Sequence, residues 1–164
     1  CETGQRVSDF MRFTKSMIRH KVNAKGVQKP LIEFRQVKTD KLMAIPLSKK
    51  VIEILKKRGG EFPYAISDQK YNDYIKDVCR IAELKYKVKG SKNDVKINRK
   101  KSGTFEKWEL VTSHIGRRTF ATNNYGNIPT SILIYMTGHS TEKMFLEYIG
   151  KADDDKAMQV AEYF

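Results

Sequence analysis

Residues 113–148, SHIGRRTFATNNYGNIPTSILIYMTGHSTEKMFLEY, constrain the fold more than any other stretch of the chain. Thr112 and Ser113 supply a hydroxyl N-cap, and the residues after them suit a helix as far as Asn123-Asn124. His114 and Arg117 then stand three apart and share one helical face. Gly138 predicts a helix end and leaves His139 at the mouth of a turn. Thr141 caps a second short helix, residues 142–149, which carries Tyr148. Two imidazoles, a guanidinium and a phenol therefore emerge near helix ends. Each has an ordinary alternative: an imidazole that caps a helix or sits satisfied in the core, and a tyrosine packed on an amphipathic face. Tyr125, Tyr135 and Tyr163 compete with Tyr148 as a reactive phenol, and the position after Gly138-His139 favours Tyr148.

The upstream chain supplies further cations. Ser8, followed by apolar Phe10, Met11, Phe13 and Met17, predicts a capped helix. Arg6 lies just before it, where a helix N-terminus already attracts anions, and Asp9 is placed to brace the guanidinium. Residues 21–29 read as a polar connection. Residues 31–37 alternate like a strand, residues 38–41 form a turn, and residues 42–45 return as a second strand closed by Pro46. This hairpin carries Lys38 and Lys41 at its tip, where an ammonium either reaches over a groove or protects a sheet edge. A helix over residues 49–58 ends at Gly59-Gly60. Another, capped by Ser67 or Asp68, runs to about Leu84 with Tyr71, Tyr74, Ile75, Val78 and Ile81 as its core side. Residues 85–109 are basic and poor in core residues. Val95-Ile97 and Phe105-Trp108 are expected as a two-stranded ribbon around Arg99, Lys100, Lys101, Ser102 and Gly103, which either grips a phosphate backbone or is a solvated insertion. The elements add up to a mainly helical α+β domain with a small antiparallel sheet, occupying residues 1–164.

Charge narrows the partner. The formal net charge is +13, and residues 1–60 alone hold 15 basic and 5 acidic side chains, so the field is regional and favours a polyanion. No apolar run is long enough to span a bilayer, and no signal peptide is visible, which points to a cytoplasmic protein. Cys1 and Cys79 show no metal or redox spacing; a disulfide between them is open, with a reduced pair favoured. A zinc site using His114 and His139 lacks a third ligand of suitable spacing. Asp153, Asp154 and Asp155 are neighbours that do not converge on one point, so they make a helix first turn and not a metal site.

The motifs Thr3-Gly4-Gln5-Arg6-Val7-Ser8-Asp9, His114-Ile115-Gly116-Arg117, Gly138-His139-Ser140 and Tyr148, in that order, resemble the tyrosine recombinase (phage integrase) family. The Lys38 hairpin and the following Ile45-Pro46-Leu47 fit the same pattern. The run from Ser113 through Asn123 looks like integrases of conjugative and mobilisable elements. Each motif alone is weak, and five in register are specific. One departure is Gln5, which stands where a bulky apolar residue is common. The resemblance covers almost the whole chain as a catalytic domain. Relatives usually carry DNA-binding domains before the first arginine, and these are expected to be absent here. It implies that Arg6 and Arg117 clamp a scissile phosphate, and that His114 and His139 bond its oxygens or assist proton movement. It implies that Lys38, or Lys41 if the hairpin register differs, protonates the leaving 5′ oxygen. Tyr148 would attack to give a 3′-phosphotyrosyl link, with Asp9 bracing Arg6. Arg118, Arg99, Lys100 and Lys101 are further candidate DNA contacts.

The chemistry is consistent with those residue types. A free phenol, with a pKa near ~10, is a poor nucleophile at neutral pH, and local cations stabilise its phenolate and the charge on phosphorane oxygens. Arginine does this without a metal, and a covalent link conserves the phosphoester energy, so neither metal nor nucleotide cofactor is expected. Duplex DNA is the expected partner, with a monomer when free and a homotetramer on DNA. The apolar residues Met158, Val160, Ala161, Tyr163 and Phe164 fold back or dock on a neighbouring copy. Two other classes remain open: a non-catalytic DNA-binding module, and a type IB topoisomerase-like enzyme.

Overall fold

The computed structural model describes residues 2–94, 99–151 and 161. Cys1, Asp153–Asp155 and the apolar residues Met158, Val160, Tyr163 and Phe164 lie outside them. The chain divides into two compact units, residues 1–63 with 116–164, and residues 64–115.

The first unit opens on α1, Val7–Phe10, followed by a 3₁₀ turn, Lys15–Met17. The longer helix expected from Ser8 does not form. Arg6 and not Ser8 takes the N-cap position, and the chain is extended again by Thr14. That break lets Phe13 reach Phe34 and Phe62, with ring centroids 4.9 and 5.6 Å away. Three strands then form an antiparallel sheet in the order β1 (Ile18–Val22), β2 (Gln28–Arg35), β3 (Leu42–Pro46). Strand β1 occupies part of what reads as a polar connection. It is an edge strand whose Arg19, His20, Lys21 and Val22 are all exposed, so it shows no apolar alternation. The hairpin is as expected: Ile32 pairs with Ile45 and Phe34 with Met43, and all four side chains are buried. Helix α2, Lys49–Lys57, is capped by the Ser48 hydroxyl and adds Leu55, Val51 and Ile52 to that core.

Three more helices complete the unit: α4 (His114–Asn124, whose first residues belong to the second unit), α5 (Thr130–Thr137) and α6 (Glu142–Ile149). Phe120 and Ala121 of α4, Leu133 of α5, and Phe145, Leu146 and Ile149 of α6 form a second core. Met136 packs against both cores and joins helices to sheet. Gly138 ends α5 in the left-handed conformation, φ 64°. A Cβ there would stand 2.7 Å from the Gln36 amide, so only glycine allows this helix end against the hairpin turn.

The second unit contains α3, Asp68–Ile81, a ribbon of β4 (Lys87–Asp94) and β5 (Arg99–Glu106), and a 3₁₀ turn, Lys107–Leu110. The packed stripe of α3 is Tyr71, Ile75 and Cys79, while Tyr74, Val78 and Ile81 are exposed. The apolar surplus on this helix hides which of two overlapping stripes is inward. Cys79 is a buried free thiol. The ribbon exists but is displaced from its expected bounds: Arg99–Gly103 is strand and not turn, with Gly103 opposite Gly90. Eight-residue strands satisfy more backbone donors and acceptors than a short ribbon centred later would.

Candidate active site

Arg117 is the centre of the candidate site. It comes from the second turn of α4 and is only 4% exposed. Its Nη1 donates to the Gly4 carbonyl at 2.8 Å and its Nη2 to the Thr137 carbonyl. The Gly4 approach needs glycine, because a Cβ at this φ of +65° would lie 2.5 Å from the Phe120 ring. One guanidinium thus ties the segment before α1 to the C-terminal end of α5. Burial and the nearby Arg6 charge bring its pKa down to about 10, so it stays cationic at neutral pH.

Tyr148 of α6 lies beside it, with the Arg117 guanidinium carbon 6.0 Å from the ring centroid. The His139 ring centroid is 4.9 Å from that of Tyr148. Arg118, although exposed, donates from Nε to the Tyr148 carbonyl at 2.8 Å and lies 5.7 Å from its ring, so it anchors the tyrosine helix. Among the described residues, three buried side-chain atoms lack a hydrogen-bond partner: Arg6 Nη1, Asp9 Oδ2 and the Tyr148 hydroxyl. Buried polar atoms are nearly always satisfied, so orphans collected in one predicted constellation point to a missing ligand or a reactive role.

Arg6 and Asp9 face each other across the short α1, Nη1 to Oδ2 at 4.0 Å. Asp9, 1% exposed, also accepts from the Val37 backbone N–H at 2.8 Å. That bond fixes the start of the hairpin turn carrying Lys38. The same turn is held by a buried amide chain. Thr39 donates to Gln36, Gln36 lies against Gln5 at 3.4 Å, and Gln5 donates to the Met136 carbonyl at 2.6 Å. Gln5 is therefore matched by Gln36. Lys38 is exposed and makes no hydrogen bond or ion pair among the described residues. Lys41, by contrast, lies 5.5 Å from the centre of the Tyr135 ring. Tyr135 is itself engaged, its hydroxyl accepting from the Ala44 N–H at 3.3 Å.

His139 follows the Gly138 turn, half-buried, with Nδ1 2.8 Å from the Thr137 hydroxyl. Burial first, then the charges of Arg117 and Arg6, push its pKa down to about 4, so it is neutral at physiological pH. The sign for stability follows. Between pH 6.5 and 4 the unfolded chain binds a proton that the folded chain refuses, so this contribution is full above about 6.5 and is lost as pH falls toward 4. Thermal unfolding of wild type and His139→Asn across this range is expected to show a steeper fall in Tm for wild type.

His114 opens α4, exposed, three residues before Arg117. The remaining cations do not act as one patch. Strand alternation puts Arg99 and Lys101 on the ribbon face that carries Lys92, whose Nζ sits 4.7 Å from the Phe105 ring centroid and 2.5 Å from Glu109. Lys100 lies on the opposite face with Lys87 and Lys89. Sequence reasoning missed Thr137 and Gln36. The polar side chain just before Gly138-His139 is a usable signal for Thr137. Gln36 carries none, because it is legible only through its contact with Gln5. No group of three or more His, Cys, Asp or Glu residues among those described could hold a metal ion. Among the described residues, no helix is long and apolar enough to cross a membrane.

Comparison with known proteins covers nearly the same span. A sequence profile described as the phage integrase family matches residues 1–155. No curated protein sequence matches the chain. Solved structures do: XerA recombinase is similar with a TM-score of 0.61 and 17% identity, over 99% of this chain and 54% of that one. XerH site-specific recombinase bound to difH substrate in a pre-cleavage complex gives 0.64 and 16%, over 98% and 43%. The Tn1549 transposon integrase in complex with a circular intermediate DNA gives 0.58 and 18%, over 99% and 55%. The chain thus spans about half the length of the recombinases it resembles.

Proposed function

The chain belongs to the phage integrase family, and from that premise we propose that it is the catalytic part of a tyrosine site-specific recombinase acting on duplex DNA. The observation that carries this reading is the buried Tyr148 phenol beside the Arg117 guanidinium, with which it interacts electrostatically. In the proposed reaction Arg6 and Arg117 bind the non-bridging oxygens of one phosphodiester. The Tyr148 oxygen bonds to phosphorus as the bond to the 5′ oxygen breaks, and the phenolic proton passes to water. Lys38 supplies a proton to the departing 5′ oxygen; its freedom, against Lys41 stacked over Tyr135, supports that choice. Attack by a 5′ hydroxyl on the phosphotyrosyl link reverses the sequence and rejoins strands without ATP. His114, at the start of the same helix as Arg117, is assigned to phosphate contact.

The Arg117 guanidinium beside Tyr148, with Arg6 close enough to Arg117 to lower its pKa, supplies the cationic charge that a metal would otherwise provide. Cleavage is expected to survive EDTA, and strong inhibition by EDTA would overturn this part. The solved relatives include complexes with difH substrate and with transposon circular-intermediate DNA. By analogy the substrate here is the junction of a mobile element, processed by four protomers acting in two pairs. The test is a duplex nicked close to the cleavage point, followed by peptide mapping of the DNA-linked residue. A link at Tyr148 supports the proposal. A link at Tyr125 or Tyr135 removes this site, and no link under any condition favours a binding module. Relaxation of supercoiled plasmid without strand exchange favours a topoisomerase.

Phosphate contacts of this kind release counterions. The affinity for duplex DNA is expected to fall at least tenfold between ~50 and ~200 mM salt, since six or more such contacts cost about 10³. Filter binding across that range checks it, and a flat curve contradicts it.

A further inference from the structure

Three polar side chains, Gln5, Gln36 and Thr39, form a hydrogen-bond chain with a fixed direction beneath the turn that carries Lys38. The Gln5 amide nitrogen donates to two backbone carbonyls, Thr3 at 2.8 Å and Met136 at 2.6 Å. A carbonyl oxygen has no proton to give, so the orientation of this amide is set and its oxygen is left for Gln36. Gln36 then presents its own nitrogen, 3.4 Å from Gln5 Oε1. Its oxygen accepts from the Thr39 hydroxyl at 2.7 Å. Gln5 and Gln36 are 4% and 1% exposed, so water does not replace these partners.

The main chain of Gln36 closes the same turn. Its N–H donates to the Lys41 carbonyl at 3.0 Å, and its carbonyl accepts from the Asp40 N–H at 2.9 Å. Gly138 packs on its side-chain amide with no room for a Cβ. The neighbours of Lys38 are thus held on both sides, Val37 by Asp9 and Thr39 by Gln36, while the Lys38 side chain is exposed.

We propose that Gln36 is a positioning residue for Lys38. Its buried amide sets the turn against the segment that carries Arg6 and against the glycine end of α5, so the ammonium extends from a fixed base. An amide suits this task because any shift leaves a buried donor or acceptor unpaired, whereas an apolar contact tolerates sliding. The role deepens the recombinase reading and rests on it. There the bond from phosphorus to the 5′ oxygen breaks, the Lys38 ammonium gives that oxygen a proton, and a neutral amine remains.

The experiment compares single-turnover cleavage of two nicked duplexes by the intact chain. One has the natural 5′ oxygen at the cleaved bond, and the other has sulfur in its place. A thiolate, with a pKa near ~8.5, leaves without a proton, so the sulfur duplex does not need the acid. Lys38→Ala is expected to slow the oxygen duplex ~100-fold or more and the sulfur duplex less than about threefold. Gln36→Met, of similar size but without the amide, is expected to slow the oxygen duplex about tenfold or more and the sulfur duplex less than about twofold. A defect equal on both duplexes, or absent on both, overturns the proposal. Thr39→Val changes an exposed side chain and decides the matter if Gln36→Met does not fold: slowing confined to the oxygen duplex supports the proposal, and anything else overturns it. Hydrogen exchange of the Val37 and Asp40 amides reads the anchoring without DNA. It is expected to be about tenfold faster or more in Gln36→Met, and unchanged exchange also overturns the proposal. If Lys38→Ala slows both duplexes alike, Lys38 is not the acid, and this role for Gln36 falls with that assignment. Failure of wild type to cleave either duplex would sink the recombinase reading as a whole, and the positioning role with it.

Discussion

Tyr148→Phe is expected to abolish the SDS-resistant adduct with nicked duplex while leaving folding and DNA affinity intact. The phenylalanine ring keeps the packing against His139, Arg117 and Arg118. What disappears is one oxygen that has no hydrogen-bond partner among the described residues. The lost oxygen also interacts with the Arg117 guanidinium, so the change in stability is expected to stay within about 1 kcal/mol and Tm to shift little. Activity behaves oppositely: loss of a covalent nucleophile costs on the order of 10⁶ in rate where it has been isolated. Few single-atom changes separate stability from chemistry so widely. Tyr125→Phe and Tyr135→Phe serve as controls and are expected to retain the adduct. An adduct from Tyr148→Phe equal to wild type would eliminate Tyr148 as nucleophile.

Arg117 and Arg6 are expected to fail in different ways. Arg117→Ala leaves the Gly4 and Thr137 carbonyls without their donor in a buried site and is expected to cost ~2–5 kcal/mol of stability. Arg117→Lys keeps charge but not the fork. A single ammonium does not reach two carbonyls and a substrate oxygen together, so cleavage is expected to fall ~10²–10³-fold. Arg6 holds only a loose contact, 4.0 Å, with Asp9. Arg6→Lys is expected to lose cleavage on a similar scale with Tm nearly unchanged. Chemical unfolding and single-turnover cleavage of the variants separate the two cases. A stable, fully active Arg117→Lys protein would show that the guanidinium is structural only.

The limits of sequence reading show at individual residues. The hairpin with Ile32, Phe34, Met43 and Ile45 inward was legible because its alternation is local. Strand β1 was not, because an exposed edge strand has no side-chain pattern to betray it. Helix α6 was legible from its Thr141 cap and the end of α5 from Gly138, whereas α1 stops early and places Phe13 against Phe34. For Arg118, a candidate DNA contact, the bond from Nε to the Tyr148 carbonyl had no signal in the sequence.

By itself the order of residues determined the type of fold and the positive field and singled out candidate reactive side chains, because charge, helix capping and motif spacing are local properties. Only the tertiary structure decided what those side chains are bonded to. Arg117 meets Gly4 and Thr137, and Asp9 meets Val37, across separations of up to 113 residues. Burial and neighbouring charge, which make His139 neutral and set the buried Tyr148 phenol against Arg117, are properties of that assembly and exist in no single segment.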